Sequence, residues 1–141
     1  MAIYNKFKME ALNGSINLSS DTIKVALLDS GYTPNIDTDI FWDDVSANEI
    51  TGANYTTGGE TITTPTVTQD NTDNEGVFGG DDIVWTNAVG TITARYAVMY
   101  KDTGVAGTSP LIEYIDFGSD KTSENENFSI SWSAEGIINA N

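Results

Sequence analysis

Along TITARYAVMYKD, Thr91 to Asp102, apolar positions recur in steps of two. Ile92, Ala94, Tyr96, Val98 and Tyr100 fall on one face, and Thr91, Thr93, Arg95 and Lys101 on the other, with Ala97 and Met99 between them. A period of two is that of a strand, and the β-branched and aromatic residues suit a pleated surface. The segment reads as a central strand half inside a core, closed by the turn residues of KDTG.

The same period recurs. In IKVALLDS, Ile23, Val25 and Leu27 share a face while Ala26 and Leu28 leave the reverse partly apolar, which predicts a strand near the sheet centre. LIEYIDF reads as a second well-filled strand, and Phe128, Ile130 and Trp132 alternate with Ser129, Ser131 and Ser133 in the last one. TITTPTVT is extended but interrupted by Pro65, which favours an edge strand or a bulge. In VFGGDDIVWT, Ile83 and Trp85 point the same way and Gly79-Gly80 marks a bend.

Two stretches follow a helical period. Ile3, Tyr4, Phe7, Ala11 and Leu12 form a stripe that predicts an amphipathic helix within residues 1–14, ended by Asn13-Gly14; such a stripe most often packs against its own domain, with a docking arm for a neighbouring subunit as the alternative. Asp37-Thr38-Asp39 is placed to cap a short helical turn through IFWDDVSANE, where Phe41 and Val45 lie four apart. GYTPN and GANYTTGG read as turn and loop. The expected architecture is mainly β: one domain over residues 1–141, an antiparallel β-sandwich or flattened barrel of about seven strands with a short N-terminal helix.

Composition narrows the chemistry. The 141 residues contain no Cys and no His, which removes thiolate nucleophiles, disulfides, imidazole-based metal sites and Ser-His-Asp catalysis. Six Lys and Arg against 21 Asp and Glu give a formal charge of -15, which repels phosphate backbones and anionic membranes, so neither nucleic acid nor a membrane is an expected partner. MAIYNKFKMEALNG has lysines but no long apolar run after them, so no secretory signal is expected.

Catalysis would have to run on carboxylates, but the neighbours in Asp43-Asp44 and Asp81-Asp82 project to opposite faces if extended, and no catalytic residue is assigned. Glu113 falls on the buried side with Leu111, Ile115 and Phe117, where a carboxylate needs a partner. Arg95, the only arginine, lies one strand earlier and is the expected structural ion-pair partner. Asn71, Asp73, Glu75 and Asp82 faintly echo a calcium loop, but flanking helices are missing and the last ligand is Asp in place of Glu. No cofactor is expected. Trp85 and Trp132 read as core, while Ile3, Phe7, Ile40, Phe41, Trp42 and Tyr55, in elements peripheral to the strands, are the candidates for contact with a partner or another copy.

Taken in order, IKVALLDSGYTPN, FWDDVSANEI, GANYTTGG, TVTQDNTDNEGVF, ITARYAVMYKDTG, SPLIEYIDFGSD and FSISWSAEGI resemble small acidic structural proteins of tailed bacteriophages. The resemblance covers nearly the whole chain and carries no catalytic signature, so it transfers no functional residue. It implies a virion component made in the host cytoplasm, foremost a decoration or cement protein on the outer capsid surface. The major capsid protein would be its partner and a homo-oligomer, foremost a trimer, its form. A tail-fibre or head-fibre attachment domain, or a receptor- or carbohydrate-binding sandwich, is the alternative, and a carboxylate hydrolase stands third.

Overall fold

The computed structural model describes residues 1–52, 54–87 and 89–141. Ala53, within the expected GANYTTGG loop, lies outside them. Ten strands form among the described residues: β1 (Ala2–Ile3), β2 (Ile23–Leu28), β3 (Glu60–Thr61), β4 (Thr66–Asp70), β5 (Glu75–Gly79), β6 (Ile83–Trp85), β7 (Thr91–Lys101), β8 (Leu111–Glu124), β9 (Phe128–Ile130) and β10 (Ile138–Ala140). The two α-helices are α1 (Asn5–Leu12) and α2 (Trp42–Val45), the latter continued by a 3-10 turn over Ser46–Asn48.

All pairings are antiparallel. One sheet runs β1-β8-β7-β2-β3; a second runs β10-β5-β4; β6 and β9 form a two-stranded piece. They stack as a sandwich and do not close into a barrel. The strand read as central, β7, is the middle of the five, and β2 lies beside it. Pro65 separates β3 from β4, each at a sheet edge, and the Gly79-Gly80 bend is where the chain passes from β5 to β6 in another sheet. At Gly59 the turn comes so close to β2 that an added Cβ would lie 2.0 Å from the Val25 carbonyl oxygen, with φ at +78°, so only glycine fits.

The five-stranded sheet is covered on both faces over its centre, while β8 beyond Glu113 is half-exposed to exposed apart from Ser123. The inner face carries Ile23, Val25, Leu27, Ile92, Ala94, Ala97 and Met99 against Phe78, Ile83, Trp85, Phe128 and Ile130. The outer face carries Ala26, Leu28, Val98, Tyr100 and Leu111 against Tyr4, Tyr32, Trp42 and Val45. The expected single face of β7 is therefore corrected: Ile92 and Ala94 point inward, but Tyr96, Val98 and Tyr100 point outward. The reason is a wide bulge. Ala94 pairs with Lys121 and Tyr96 with Asp116, so Arg95 alone stands opposite Phe117 to Asp120 and the alternation changes phase.

The expected helix over residues 1–14 shortens for a similar reason. Ala2 and Ile3 pair with Tyr114 and Glu113, which pulls the start of the chain into the sheet before α1 begins. Phe7 is the buried side chain of α1, while Leu12 is 91 % exposed. Nor does Asp39 cap α2. Asp44 accepts the Ile40 and Phe41 backbone N–H groups, both at 2.9 Å, and Asp39 instead accepts the Asn35 N–H and the Tyr32 hydroxyl.

Candidate functional site

The expected pair of Arg95 and Glu113 does not form. Arg95 Nε donates to Asp116 Oδ1 at 2.8 Å and its second nitrogen reaches Oδ2 at 3.2 Å, a fork on one carboxylate. Asp116 Oδ1 also accepts the Gly118 N–H at 2.7 Å, so Arg95 and Asp116 tie down the wide bulge. Register explains the miss: Glu113 stands opposite Met99, four residues beyond Arg95, which is about 13 Å along a strand. Arg95 also lies over the Tyr96 ring, 5.3 Å from its centre, and Tyr96 and Tyr114 are half-exposed neighbours.

Glu113 is buried as expected, at 1 % exposure, but both its carboxylate oxygens lack a hydrogen-bond partner. Tyr100 pairs with Leu111, leaving Ile112 as the extra residue of a second bulge. Ile112 lies in the inner core, and Glu113 lines a cavity of about 340 Å³ with Ile3, Ile137, Ile138, Ser133 and Glu135. Burial disfavours the charged form and pushes the Glu113 carboxyl up to about 8. The cavity pairs apolar walls from Ile3 and the β10 region with one buried acid and one exposed acid, Glu135.

The weak calcium candidates are dispersed. Asn71 and Asp73 lie in the turn between β4 and β5, Glu75 accepts the Asn139 side-chain amide, and Asp82, beyond the far end of β5, accepts the Trp132 backbone N–H at 2.9 Å. Among the described residues, no three acidic side chains converge in a way suited to a metal ion.

Of the contact candidates, most are spent inside the molecule. Ile3 is half-buried in β1, Phe7 is in the inner core, and Phe41 lies half-buried under the Lys6 ammonium, 4.8 Å from the ring centre. Trp42 stacks on Tyr100 with centroids 4.5 Å apart and planes 6° from parallel. Tyr55 is buried beside Trp85, where its hydroxyl donates to Glu49 at 2.8 Å and accepts the Leu27 N–H at 3.0 Å. Ile40, 39 % exposed, is the candidate left facing solvent. The large apolar residues on the surface instead include Leu12, Val67, Val84, Val89 and Val105, which alternation does not single out.

Among the described residues, four of the six cations are engaged: Lys6 with Glu10 at 2.6 Å, Lys24 with Asp102 at 3.0 Å, Lys101 with Asp21 at 2.9 Å, and Arg95 with Asp116. The acidic excess is left to face solvent, so the molecule presents a negative field to anything that approaches. No helix among the described residues is long and apolar enough to cross a membrane. Set against family models, curated proteins and solved structures, the chain matches none.

Proposed function

We propose that the chain is a non-enzymatic structural protein of a tailed-bacteriophage virion, a decoration protein that binds the outer surface of the head and stabilises it, with the major capsid protein as its partner and a trimer as its working form. The observation that carries this reading is the ordered run of segments from IKVALLDSGYTPN to FSISWSAEGI that resembles such proteins. Those segments supply β2, α2, the β4–β5 hairpin, β7, β8 and β9, the frame of the sandwich. Charge and packing support it. A decoration protein must remain soluble until it docks and stay off packaged nucleic acid, and a charge of -15 on a scaffold covered on both faces over the centre of its main sheet meets both conditions.

The test is addition of purified protein to expanded heads that lack it. Stoichiometric co-sedimentation and a raised disruption temperature of the heads are the expected results; heads that stay bare overturn the proposal. A second reading, a carbohydrate-binding attachment domain, is favoured by the half-exposed Tyr96 and Tyr114 beside Arg95, since flat aromatic faces suit sugar rings. A glycan array with Tyr96→Ala as control separates the two.

A further inference from the structure

Strand β4 ends its sheet, and among the described residues no backbone group of Thr66–Asp70 is hydrogen-bonded beyond the pairing with β5. Natural edges are blunted by lysine, proline or a bulge, or are covered. β4 has none of these devices. It contains neither Lys nor Pro, and its register with β5 runs unbroken from Thr66 opposite Gly79 to Asp70 opposite Glu75. Four of its five residues are exposed, Val67 at 56 %.

The two faces of this edge differ. Alternation puts Val67 and Gln69 on the inner face, in line with the buried Phe78 of β5, and Thr66, Thr68 and Asp70 on the outer face. Beside Val67 lies a hollow of about 320 Å³ whose walls include Phe7, Ala11, Ile16 and Leu18 and no charged side chain. No residue of β5 or β10 lines it, so it opens on the free side of β4. On the outer face Asp70 stands opposite Glu75. No Lys or Arg occurs between Lys24 and Arg95 or after Lys121, so all three strands of this sheet lack a cation. The lysines of α1 turn elsewhere, Lys6 to Glu10 and Phe41, Lys8 to Asn5.

We propose that β4 is an acceptor edge for an extended segment of a partner protein in which apolar residues alternate with lysine or arginine. The segment pairs with the free backbone groups of β4, its apolar side chains enter the hollow beside Val67, and its cations meet Asp70 and Glu75 on the outer face. A second copy of this chain fits less well: its β4 has no cation to offer, and two bodies of charge -15 repel. The acceptor edge stands on geometry and charge alone; only the partner's identity as a capsid protein rests on the virion reading.

The full chain, labelled for amide and methyl NMR, is titrated with a capped heptapeptide that alternates lysine and valine. Saturable shifts confined to the amides of β4 and the methyl groups of Ala11, Leu18 and Val67 are expected, with slower amide exchange in β4. A peptide of the same composition with its lysines and valines in two blocks, and one with glutamate for lysine, each bind about tenfold weaker or more. Val67→Lys, at an exposed position and checked for an otherwise unchanged amide spectrum, lowers affinity about tenfold or more. Asp70→Asn, which keeps the acceptor for the Thr72 and Asp73 N–H groups, lowers it about twofold to threefold, as for a surface charge. Equal binding of the block-ordered or glutamate peptide, an unchanged affinity in Val67→Lys, or shifts that lie elsewhere each overturn the acceptor edge. Shifts in β4 that grow with protein concentration alone identify a second copy as the occupant and overturn it too. Head binding is read separately: a negative titration overturns this proposal even where heads bind, and bare heads overturn the virion reading even where the peptide binds.

Discussion

On its inner face the five-stranded sheet is covered by other strands, through Val25, Leu27, Ala97 and Met99 against Trp85, Phe78 and Phe128. On its outer face it is covered by chain with little regular structure, from Tyr32 through Val45, which is held by Tyr32 and Trp42 together with Tyr4. The inner layer gains mainly from non-directional burial, roughly in proportion to apolar area, with the Tyr55 hydroxyl between Glu49 and the Leu27 N–H as a directional tie. The outer layer uses oriented groups. Tyr4 and Tyr32 hydroxyls meet at 2.6 Å, Tyr32 donates to Asp39 at 2.7 Å, and Trp42 lies flat on Tyr100. Where strands supply a continuous wall, apolar shape is sufficient; where an irregular segment must sit in one place, directional contacts fix it.

If that contrast holds, damage inside is global. Trp85, 1 % exposed between Tyr55 and Phe128, has no partner for its indole N–H, so its contribution is packing. Trp85→Ala is expected to lower stability by about 3–5 kcal/mol, read by urea denaturation, with all probes moving together. A separate loss of β6–β9 signal before the rest would break the comparison.

Glu113 is the inner layer's exception, and its signature is in pH. Its folded value of about 8 lies above the ordinary 4.5, so the folded chain holds the proton more tightly than the unfolded one. The stabilisation from that proton is fully present below about 4.5, declines as pH rises, and is gone above about 8. Glu113→Gln removes this slope and stabilises the free protein at about pH 9 by a few kcal/mol, measured as the difference between the two urea midpoints across that range. Parallel pH profiles for the two proteins would sink the assignment.

Damage outside is local. Trp42→Ala deletes the stack on Tyr100 and is expected to lower stability by about 3 kcal/mol, the low end for a buried tryptophan. Amide exchange should quicken first at Trp42, which donates to the Ser109 carbonyl, and at Leu111, which donates to Ile40, while β7 amides stay protected.

Legibility in the sequence follows the same division. The centrality of β7, the apolar and wet faces of Phe128 to Ile130, and the burial of Glu113 are local alternation and were readable. Glu113's lack of a partner was not, because it depends on register between β7 and β8, and the bulge at Arg95 arises only from residues 117–120 across the pair. Trp42 and Tyr55 stood as contact candidates because they sit outside regular strands, yet they fold back onto the sheet, and Phe7 packs against its own domain as the helical stripe most often implies. A signal was present: Ala26 and Leu28 on the reverse of β2 meant that a second face needed cover, and the aromatic residues of the segment after it were the material at hand. Arg95 does pair with a carboxylate, but with Asp116 in place of the expected Glu113.

The smallest expected effect asks most of the comparison. Tyr32→Phe keeps the ring, its edge contact with Tyr96 at 5.5 Å, and nearly all the buried area, and removes one oxygen. If the outer layer relied on area alone, as Trp85 does in the inner one, this change would be silent. The oxygen instead links Tyr4 to Asp39, and Asp39 also accepts the Asn35 N–H at 2.9 Å, so one hydroxyl joins α1's entry, the turn at Asn35 and the sheet. Its loss leaves the Tyr4 hydroxyl, on a fully buried residue, without that partner. A destabilisation of about 1 kcal/mol is expected, with faster exchange at the Asn5 amide that donates to Ile36. Tyr4→Phe combined with Tyr32→Phe should cost less than the sum of the two single changes, because the second no longer strands a buried hydroxyl. Strict additivity would mean that the outer layer is held by shape after all.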